Sequence, residues 1–432
     1  MGFKILLVSD HYPPFIGGAH RQTQLLAKEL KQRGHDINVA TVWHGGFPQV
    51  EEEAGVKVYR LKQLRTWPFH IAPDRKQRHQ PPFPDPVTIF GLRNLINQFK
   101  PDIIHSYGWI SYSCAAALTG KNIPLLISAR DYAYSCATQT MVYRGADICS
   151  GPEFAKCMAC ASMRYGPLKG WATTLGISLS RGLLKHKLSG LHSISTYVQQ
   201  ITRRDFLGEQ SIGQLNGGEK VIEAIIPSFR EDDDEQPTVA NPQIKSYVDQ
   251  LPNEPFILFV GALRRVKGVY QLLEAYQQLK SPPPLVLIGT IEFDTPRQFP
   301  PGVTVLKDFP HPAVMAAWER SLFGVIPSLW PEPLGSVVYE GMSKGKAMIG
   351  TTPGGHTDMI VHNDTGFLVP AGDVNTLISS MQRLIDDPEL CHRLGLAGYE
   401  KSKSYTAGVA VPRFEELYAR LINENNARIK IT

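Results

Sequence analysis

The amino-acid sequence predicts an α/β protein of two domains, each with a parallel β-sheet covered by helices on both faces. The chain has 432 residues, which is too long for one ordinary hydrophobic core. Short β-like runs alternate with amphipathic helical runs in both halves, and this alternation is typical of βαβ units. An acidic run that ends in proline, residues 231–237, separates the halves and has little to bury, as expected of a linker.

We predict a first domain at residues 1–230, a linker at 231–253, a second domain at 254–404 and a final helical segment at 405–432. A cysteine-rich insertion, residues 132–165, interrupts the first domain. The strands expected in the first domain are residues 5–9, 37–42, 56–61, 103–105, 125–128, 190–194 and 224–226. Its expected helices are residues 19–33, 87–98, 110–118, 167–187 and 196–206. The strands expected in the second domain are residues 257–260, 285–288, 303–306, 323–326 and 347–350.

The composition is that of a globular enzyme. Hydrophobic residues make up 43% of the chain and charged residues 20%, which excludes disordered and fibrous proteins. The net charge of +5 suits a small anionic substrate or a membrane surface, and it is too diffuse to indicate nucleic-acid binding. We find neither a signal peptide nor an apolar run near the ~20 residues of a spanning helix. We therefore expect a cytoplasmic protein, with peripheral contact at the inner membrane face as an open alternative.

Two carboxylates, Glu332 and Glu340, flank a turn rich in proline and glycine, residues 331–337. Prolines on both sides keep Glu332 out of a helix, because proline removes a backbone donor and favours extended neighbours. Ser336 is a credible N-cap for the helix that follows, which places Glu340 about one turn into that helix. The first amides of a helix bind anions well. This arrangement suits a sugar that is joined to a diphosphate and a ribose.

The stretch around these carboxylates resembles the donor-site signature of the family-4 retaining glycosyltransferases, which have the GT-B fold. The residues that carry the resemblance are Pro327-Ser328, 332–340, Gly345-Lys346, 354–358 and 365–370. An Arg-Asp-Tyr run followed by cysteines, from Arg130 onward, points to a subgroup with a cysteine-rich insertion. The resemblance implies two Rossmann-like domains that face each other across a cleft, with the C-terminal helix crossing back to the first domain. It also implies transfer of a hexose from a nucleotide diphosphate-sugar to an acceptor hydroxyl, with retention of configuration and without a metal.

The same resemblance assigns roles on the donor side. Glu332 would orient the transferred sugar, and Glu340 would accept hydrogen bonds from the ribose hydroxyls, since an ionised carboxylate is a bidentate acceptor. The phosphate would lie at the helix start, and the loop around Phe309 would hold the nucleobase through backbone groups. The residues expected at the helix start are Leu334, Gly335, Ser336 and Val337.

Two further loops supply candidates for phosphate binding. Gly17 and Gly18 follow the first strand and precede a helix, where glycines let the backbone approach a ligand closely. Lys267 matches a lysine of the family pattern after the first strand of the second domain, but alanine occupies the position of the family's arginine. Arg264 or Arg265 would then supply the missing positive charge, which stabilises the leaving diphosphate.

On the acceptor side the chain departs from the family pattern. Many members have a histidine where this chain has Arg130, and arginine stays charged and cannot act as a base. Arg130 is a candidate for binding a phosphate, and Asp131 for orienting the acceptor. His105 is a further cleft candidate, with a structural role as the alternative. The resemblance implies same-face attack in which the departing phosphate oxygen takes the acceptor proton, so that a dedicated base is not required.

Four cysteines lie in the insertion: Cys136, Cys149, Cys157 and Cys160. The last two have the close spacing of a metal knuckle, and four thiolates can close a structural zinc site. The alternatives are four small buried thiols or an iron–sulfur cluster.

The surface of the first domain offers two candidate membrane contacts. Residues 67–79 form a mixed aromatic and basic loop, and the helical residues 167–187 combine lysines and arginine with leucines and Trp171. A basic amphipathic surface can lie on anionic lipid. A core-facing helix with solvated lysines is the alternative.

Glycosyl transfer from a nucleotide-sugar donor is the function that these observations favour. The alternatives are a nucleotide-sugar epimerase of similar fold and a non-catalytic sugar-nucleotide-binding protein. The sequence leaves open the acceptor (glycan, lipid-linked or small molecule), the sugar, the base and the oligomeric state.

Overall fold

The structure is a computed structural model that describes residues 2–14, 18–44, 46–64, 80–145, 147–208, 221–232 and 242–429. The chain divides into two compact units. The first unit comprises Met1–Pro227 together with Ala407–Thr432, and the second comprises Ser228–Thr406. Each unit is an α/β Rossmann-like domain built on its own parallel sheet, as the sequence predicts.

The first unit is built on an eight-stranded sheet of order β10-β9-β6-β5-β1-β2-β4-β3. All neighbouring strands are parallel except β3, which is antiparallel to β4. The central strands are continuous apolar runs because both of their faces are covered by helices. The strands are β1 (Lys4–Ser9), β2 (Asp36–Val42), β3 (Val50–Glu53), β4 (Val56–Leu61), β5 (Ile103–Tyr107), β6 (Leu125–Ala129), β9 (Leu188–Ser193) and β10 (Ile222–Ile225), with the hairpin β7 (Val142–Tyr143) and β8 (Asp147–Ile148) beside them.

Helix α2 of the first unit begins where local sequence signals predict. Asp85 caps α2 by accepting a hydrogen bond from the amide of Thr88, and Pro86 occupies the first turn. The helices are α1 (Gly18–Gln32), α2 (Pro86–Phe99), α3 (Ile110–Ala117), α4 (Phe154–Tyr165), α5 (Pro167–Lys187), α6 (Thr196–Thr202) and α14 (Ala407–Ile429), and a single π-helical turn (Arg203–Leu207) follows α6. None of the helices within the described ranges is both long enough and apolar enough to cross a membrane.

The C-terminal helix α14 belongs to the first unit, in agreement with the predicted return of the chain. Its Glu415 carboxylate pairs with Arg33 at 3.1 Å and with His35 at 2.9 Å. Its Tyr418 hydroxyl lies 2.7 Å from His105 Nδ1 in the core. These contacts attach α14 to both the surface and the interior of the unit.

The second unit has a six-stranded parallel sheet of order β13-β12-β11-β14-β15-β16. Its strands are β11 (Phe256–Val260), β12 (Leu285–Ile288), β13 (Val303–Leu306), β14 (Ser321–Ile326), β15 (Ala347–Thr352) and β16 (Gly366–Pro370). Its helices are α7 (Pro242–Val248), α8 (Val269–Gln277), α9 (His311–Arg320), α10 (Ser336–Ser343), α11 (His356–Met359), α12 (Val374–Asp386) and α13 (Pro388–Ser402). One cluster of buried aliphatic and aromatic residues fills the space between β-strands and α8, α12 and α13.

Three elements differ from the sequence expectations. The short strand β3 carries three glutamates and lies at the edge of its sheet, where alternation of apolar residues is not required. Helix α4 lies inside the cysteine-rich insertion, and only Ala161 of its residues is fully buried. Helix α7 lies within the segment expected to be a linker, and the main-chain carbonyl of its Val248 accepts a hydrogen bond from Arg320.

Candidate active site

The candidate site of the second unit lies at the carboxyl ends of its parallel strands. The loops after β11, β13 and β14 carry the residues that the sequence predicts for donor binding, and the loop after β15 carries residues 354–358 of the signature. In this sheet β11 has β12 on one side and β14 on the other, so the strand order reverses at β11. Ligands of open α/β sheets bind at such a reversal, outside the carboxyl ends of the strands.

Lys267 and Glu332 meet at this reversal. The Lys267 ammonium lies 2.6 Å from Glu332 Oε1, which also accepts a hydrogen bond of 2.6 Å from the Ser328 hydroxyl. The ammonium lies 4.9 Å from the centre of the Trp330 ring, a distance typical of a cation–π contact. The Glu332 side chain is 6% exposed and that of Lys267 is 27% exposed. The pair is thus an ion pair with a buried carboxylate and a more accessible cation.

Close backbone packing brings the two loops together. Gly268 has a φ of +75°, and a Cβ there would lie 1.8 Å from the carbonyl oxygen of Pro327. The amide of Leu329 donates a hydrogen bond of 2.9 Å to the carbonyl of Val266. Only glycine fits at position 268, because both the backbone conformation and the available space exclude a side chain.

The pair has a defined charge state. Burial alone would raise the pKa of Glu332, but the net shift is downward because the Lys267 ammonium and the Ser328 hydroxyl stabilise the carboxylate. Burial lowers the pKa of the neighbouring His356 to about 4, so this imidazole is neutral at pH 7. Lys267 is therefore the cation that keeps Glu332 ionised.

Helix α10 begins without a side-chain cap. Its N-cap is Gly335, with a φ of 84°, and not Ser336 as the sequence suggests. The left-handed backbone at Gly335 turns the chain into the helix and moves Ser336 into the first turn, where its hydroxyl does not cap. The amides at this partly exposed helix start are thus available to an anion.

His356 lies beside this helix start. Its Nδ1 accepts a hydrogen bond of 3.0 Å from the amide of Thr351, which assigns the proton of the neutral ring to Nε2. A Cβ on Gly335 would lie 2.6 Å from this Nε2. Among the described residues, the buried Nε2 has no hydrogen-bond partner. The imidazole thus presents a donor at the start of α10. His356 belongs to the signature at residues 354–358, but no role was predicted for it from the sequence.

Gly355, the second of the paired glycines in residues 354–358, packs against the loop that carries Glu332. A Cβ on Gly355 would lie 2.2 Å from the carbonyl oxygen of Pro333. The Gly355 amide also donates a hydrogen bond of 2.6 Å to the carbonyl of Glu332. The loop after β15 therefore holds the loop after β14 in place through its backbone.

Glu340 lies on α10 as predicted, one turn beyond its start. Its Oε1 lies 3.4 Å from Nε2 of His311, the first residue of α9, and its side chain is 15% exposed. The loop before α9 contains Phe309, whose ring packs edge-on against Tyr247 with 5.2 Å between ring centres. The carboxylate and the predicted base-binding loop are thus neighbours.

Arg264 and Arg265 lie in the Lys267 loop but are engaged elsewhere. Arg264 Nε lies 3.3 Å from a carboxylate oxygen of Asp294, and the Arg265 amide donates to the other oxygen at 3.3 Å. The Arg265 guanidinium stacks on Tyr270, 4.4 Å from its centre. A role for either arginine in phosphate binding stays a prediction.

The first unit carries a second group of polar residues at carboxyl strand ends. Arg130 and Asp131 follow β6, and the Arg130 guanidinium lies 5.9 Å from the Tyr107 ring at the end of β5. Asp131 accepts a hydrogen bond of 2.7 Å from the amide of Ala133. Burial raises the pKa of Asp131 above its ordinary value, although Arg130 lowers it in part.

Asp10, directly after β1, joins this group and was missed by the sequence analysis. Its two carboxylate oxygens accept hydrogen bonds from the amides of Trp109 at 2.9 Å and Ile110 at 2.8 Å, at the start of α3. Burial raises its pKa to about 7, and the nearby Asp131 adds to that rise. An acidic residue immediately after a buried strand is the sequence signal that could have identified it.

His105 is a core residue and not a cleft residue. It is fully buried, and its ring nitrogens lie 2.7 Å from Tyr418 Oη and 2.7 Å from Ser128 Oγ. Burial lowers its pKa well below the ordinary value, so the ring is neutral. The side chain packs between the sheet and α14 because it lies within β5 and not after its end.

The remaining predicted residues have no shared site in the described structure. Gly18 is the first residue of α1, while Gly17 lies outside the described residues, as do residues 67 to 79 of the aromatic and basic loop. The four cysteines of the insertion are free thiols. Within the described ranges no three His, Cys, Asp or Glu side chains are placed to hold a metal ion, so the geometry lends the zinc hypothesis no support and it stays a prediction.

Comparisons with known proteins cover both units. A family model described as "Glycosyl transferase 4-like domain" matches residues 17–210, and one described as "Glycosyl transferases group 1" matches residues 244–401. An uncharacterized glycosyltransferase of Methanocaldococcus jannaschii is 24% identical over 402 residues, 89% of each chain. The sulfoquinovosyl transferase of Arabidopsis thaliana is 24% identical over 413 residues, 90% of this chain and 68% of that protein.

Solved structures support the same fold. Sucrose-phosphate synthase from Thermosynechococcus elongatus has a TM-score of 0.69 at 19% identity and covers 97% of this chain and 99% of its own. Anabaena HepE in complex with UDP-glucose has a TM-score of 0.63 at 16% identity and covers 98% of this chain and 100% of its own. With the two family models matching most of its length, the chain belongs to the family-4-like glycosyltransferases of GT-B type.

Proposed function

We propose that this glycosyltransferase transfers a hexose from a nucleotide diphosphate-sugar to an acceptor hydroxyl, with retention and without a catalytic metal. The observation that carries the proposal is the Lys267–Glu332 ion pair beside the uncapped start of α10. A cation, a set of free amides and an imidazole donor then lie where a diphosphate would be bound. HepE, which is similar in fold, was solved with UDP-glucose, and this favours the same donor class here.

Each group has a distinct part in the proposed reaction. Lys267, the amides of residues 335–337 and His356 Nε2 stabilise the charge that grows on the leaving diphosphate. Glu332 accepts hydrogen bonds from hydroxyls of the transferred sugar, and Glu340 accepts them from the ribose. The accessible face of Lys267 lets it contact a phosphate while its buried partner stays ionised.

The transfer step balances without a further base. The acceptor oxygen forms a bond to the anomeric carbon while the bond from that carbon to the phosphate oxygen breaks. The leaving diphosphate takes the bonding electron pair, and its oxygen then takes the proton of the acceptor hydroxyl. In the first unit, we assign Asp131 to orienting the acceptor and Arg130 to binding an anionic group of a substrate.

Glu340 provides the most direct test of donor recognition. Because Glu340→Gln removes the charge but keeps the shape, we expect affinity for the matching nucleoside diphosphate to fall about 10- to 100-fold. Calorimetric titration of the purified protein measures this affinity. Glu274→Gln, at an exposed position on α8, is the matched control and should leave the affinity unchanged. If the affinity of Glu340→Gln is unchanged, Glu340 does not contact the donor and this assignment is wrong.

A further inference from the structure

Three large apolar side chains of helix α5 in the first unit point outward. Leu168 is 79% exposed, Trp171 is 52% exposed and Leu179 is 73% exposed. Their spacing places them on one face of the helix. Surface helices of globular proteins normally bury such a face, so this orientation is unusual.

The inward face of α5 consists mainly of small residues. Gly170, Thr173, Thr174, Gly176 and Ser180 are buried there. A Cβ on Gly170 would lie 2.2 Å from the Ser162 amide nitrogen of α4, so the two helices approach each other closely. Close packing through small side chains leaves Leu168, Trp171 and Leu179 on the outside, whereas Leu184 near the C-terminal end is buried. For these three residues, this corrects the expectation of a core-facing apolar stripe.

Helix α4 adds one residue to this exposed apolar surface near its C-terminal end. Its Met163 is 62% exposed and precedes Leu168 by five residues. We call the surface formed by Met163, Leu168, Trp171 and Leu179 the α4–α5 face. Exposed apolar surfaces of this kind mark interaction sites, because isolated soluble domains do not gain from keeping them in water.

The charge of this hairpin indicates what the α4–α5 face contacts. Residues 154–187 contain six lysines or arginines and no aspartate or glutamate, whereas the whole chain has an excess of only five positive charges. Arg164 and Lys169 lie close in sequence to Met163, Leu168 and Trp171. Apolar side chains that include a tryptophan, combined with cations and no anions, match the boundary of an anionic lipid bilayer.

We propose that the α4–α5 face docks the protein peripherally on an anionic lipid bilayer. The apolar side chains enter the boundary between headgroups and acyl chains, and Arg164 and Lys169 contact the lipid phosphates. Arg181 and Lys185 do not take part, because they donate hydrogen bonds to the carbonyls of Phe206 and Leu207. The inference goes beyond the proposed function and is independent of it, since all of these residues belong to the first unit and no substrate is involved.

Sedimentation with vesicles tests this docking on the full chain. We compare vesicles of phosphatidylcholine alone with vesicles that also contain phosphatidylglycerol. The test variant is Leu168→Ser/Trp171→Ser/Leu179→Ser, and Phe90→Ser, at 68% exposure on α2, is the matched control. A charge variant, Arg164→Glu/Lys169→Glu, tests the electrostatic attraction to the lipid headgroups. Thermal unfolding confirms that each variant is folded, as expected for changes at accessible positions.

We expect the wild type and Phe90→Ser to sediment with anionic vesicles, more strongly than with neutral ones. Binding should fall about tenfold or more in the triple serine variant and in the charge variant, and also at high salt. The proposal is overturned if the wild type stays in the supernatant or if the triple variant binds as well as the wild type. It is also overturned if the wild type is a dimer and the triple variant is a monomer, because the α4–α5 face then contacts a second copy of the chain.

Discussion

Lys267 sets the charge of Glu332, and the pH dependence of stability follows from that contact. The pKa of Glu332 is lowered in the folded protein. Its stabilising contribution is therefore complete above its ordinary pKa and is lost as the pH falls through the lowered value. Without the ammonium, burial would instead raise the pKa of Glu332, and the carboxylate would oppose folding as the pH rises.

We accordingly predict that Lys267→Met destabilises the protein more at pH 8 than at pH 5. The loss at pH 8 should be about 1–3 kcal/mol, since one partner of a buried pair is removed while the lysine itself is partly exposed. Denaturant unfolding at both pH values measures it. Adding Glu332→Gln should restore most of the stability, and Lys344→Met, which breaks a pair whose carboxylate, Glu319, is exposed, is the control. Equal losses at both pH values, or no restoration, would contradict this explanation.

Asp10 has the opposite pH behaviour. Its pKa is raised from the ordinary value of 3.8 to about 7, so folding takes up a proton between these values. Its contribution to stability is complete below its unfolded pKa and is lost as the pH rises toward 7.

We predict that wild-type stability falls relative to Asp10→Asn by about 1–3 kcal/mol between pH 4 and pH 7. The variant does not titrate, although it loses one of the two amide hydrogen bonds at every pH. Paired unfolding curves across this range give the difference. Asp102→Asn, whose carboxylate accepts a bond from the Lys4 amide at an exposed position, is the control. A difference that does not change with pH would show that Asp10 is ionised throughout.

At the scale of elements, the loop after β15 determines where the Glu332 loop lies. We predict that Gly355→Ala lowers both the melting temperature and the affinity for a nucleoside diphosphate, because its Cβ would meet the Pro333 carbonyl at 2.2 Å. Thermal unfolding and calorimetric titration measure the two effects. Gly182→Ala on α5, where a Cβ meets nothing within 4 Å, should be neutral or slightly stabilising. If Gly355→Ala binds the nucleoside diphosphate as tightly as the wild type does, the packing of Gly355 is not needed for donor binding.

The elements themselves could largely be predicted from sequence where the apolar pattern or the punctuation by proline and glycine is clear. The start and end of α5, residues 167 and 187, agree with the prediction, and so do the bounds of the buried strand β12 and of the partly buried edge strand β13. Helix α4 escaped prediction because a face with little burial leaves no regular apolar pattern. The cap of α10 was assigned to the wrong residue because the hydroxyl side chain suggested Ser336, whereas the left-handed turn required Gly335.

At the scale of the whole molecule, the fold class could be predicted, but the contacts between the candidate site residues could not. Lys267 and Glu332 are 65 residues apart, and only the order of strands in the sheet makes their loops neighbours. His105 was a cleft candidate because it ends a predicted strand, yet β5 continues to Tyr107 and buries it. The unusual orientation of α5 also had no sequence signal, since periodicity alone does not tell which face of a helix is buried.

If no metal ion takes part in catalysis, a chelator should not inhibit the purified protein. Turnover of the donor should change by less than about twofold after treatment with EDTA, because Lys267 and the α10 amides supply the positive charge. Nucleotide release measured with and without the chelator tests this. A large loss that is restored by Mg²⁺ or Mn²⁺ would show that a divalent ion takes part.

The central claim is that Lys267 and the start of α10 bind the diphosphate of an activated sugar. The most direct measurement exposes the wild type and Lys267→Ala to a panel of UDP-, GDP- and ADP-sugars and records the melting temperature and nucleotide release. We predict that one donor class stabilises the wild type and is slowly hydrolysed, and that Lys267→Ala reduces release about 100- to 1,000-fold. If no nucleotide-sugar changes the melting temperature or is turned over, or if Lys267→Ala behaves as the wild type does, the claim is wrong.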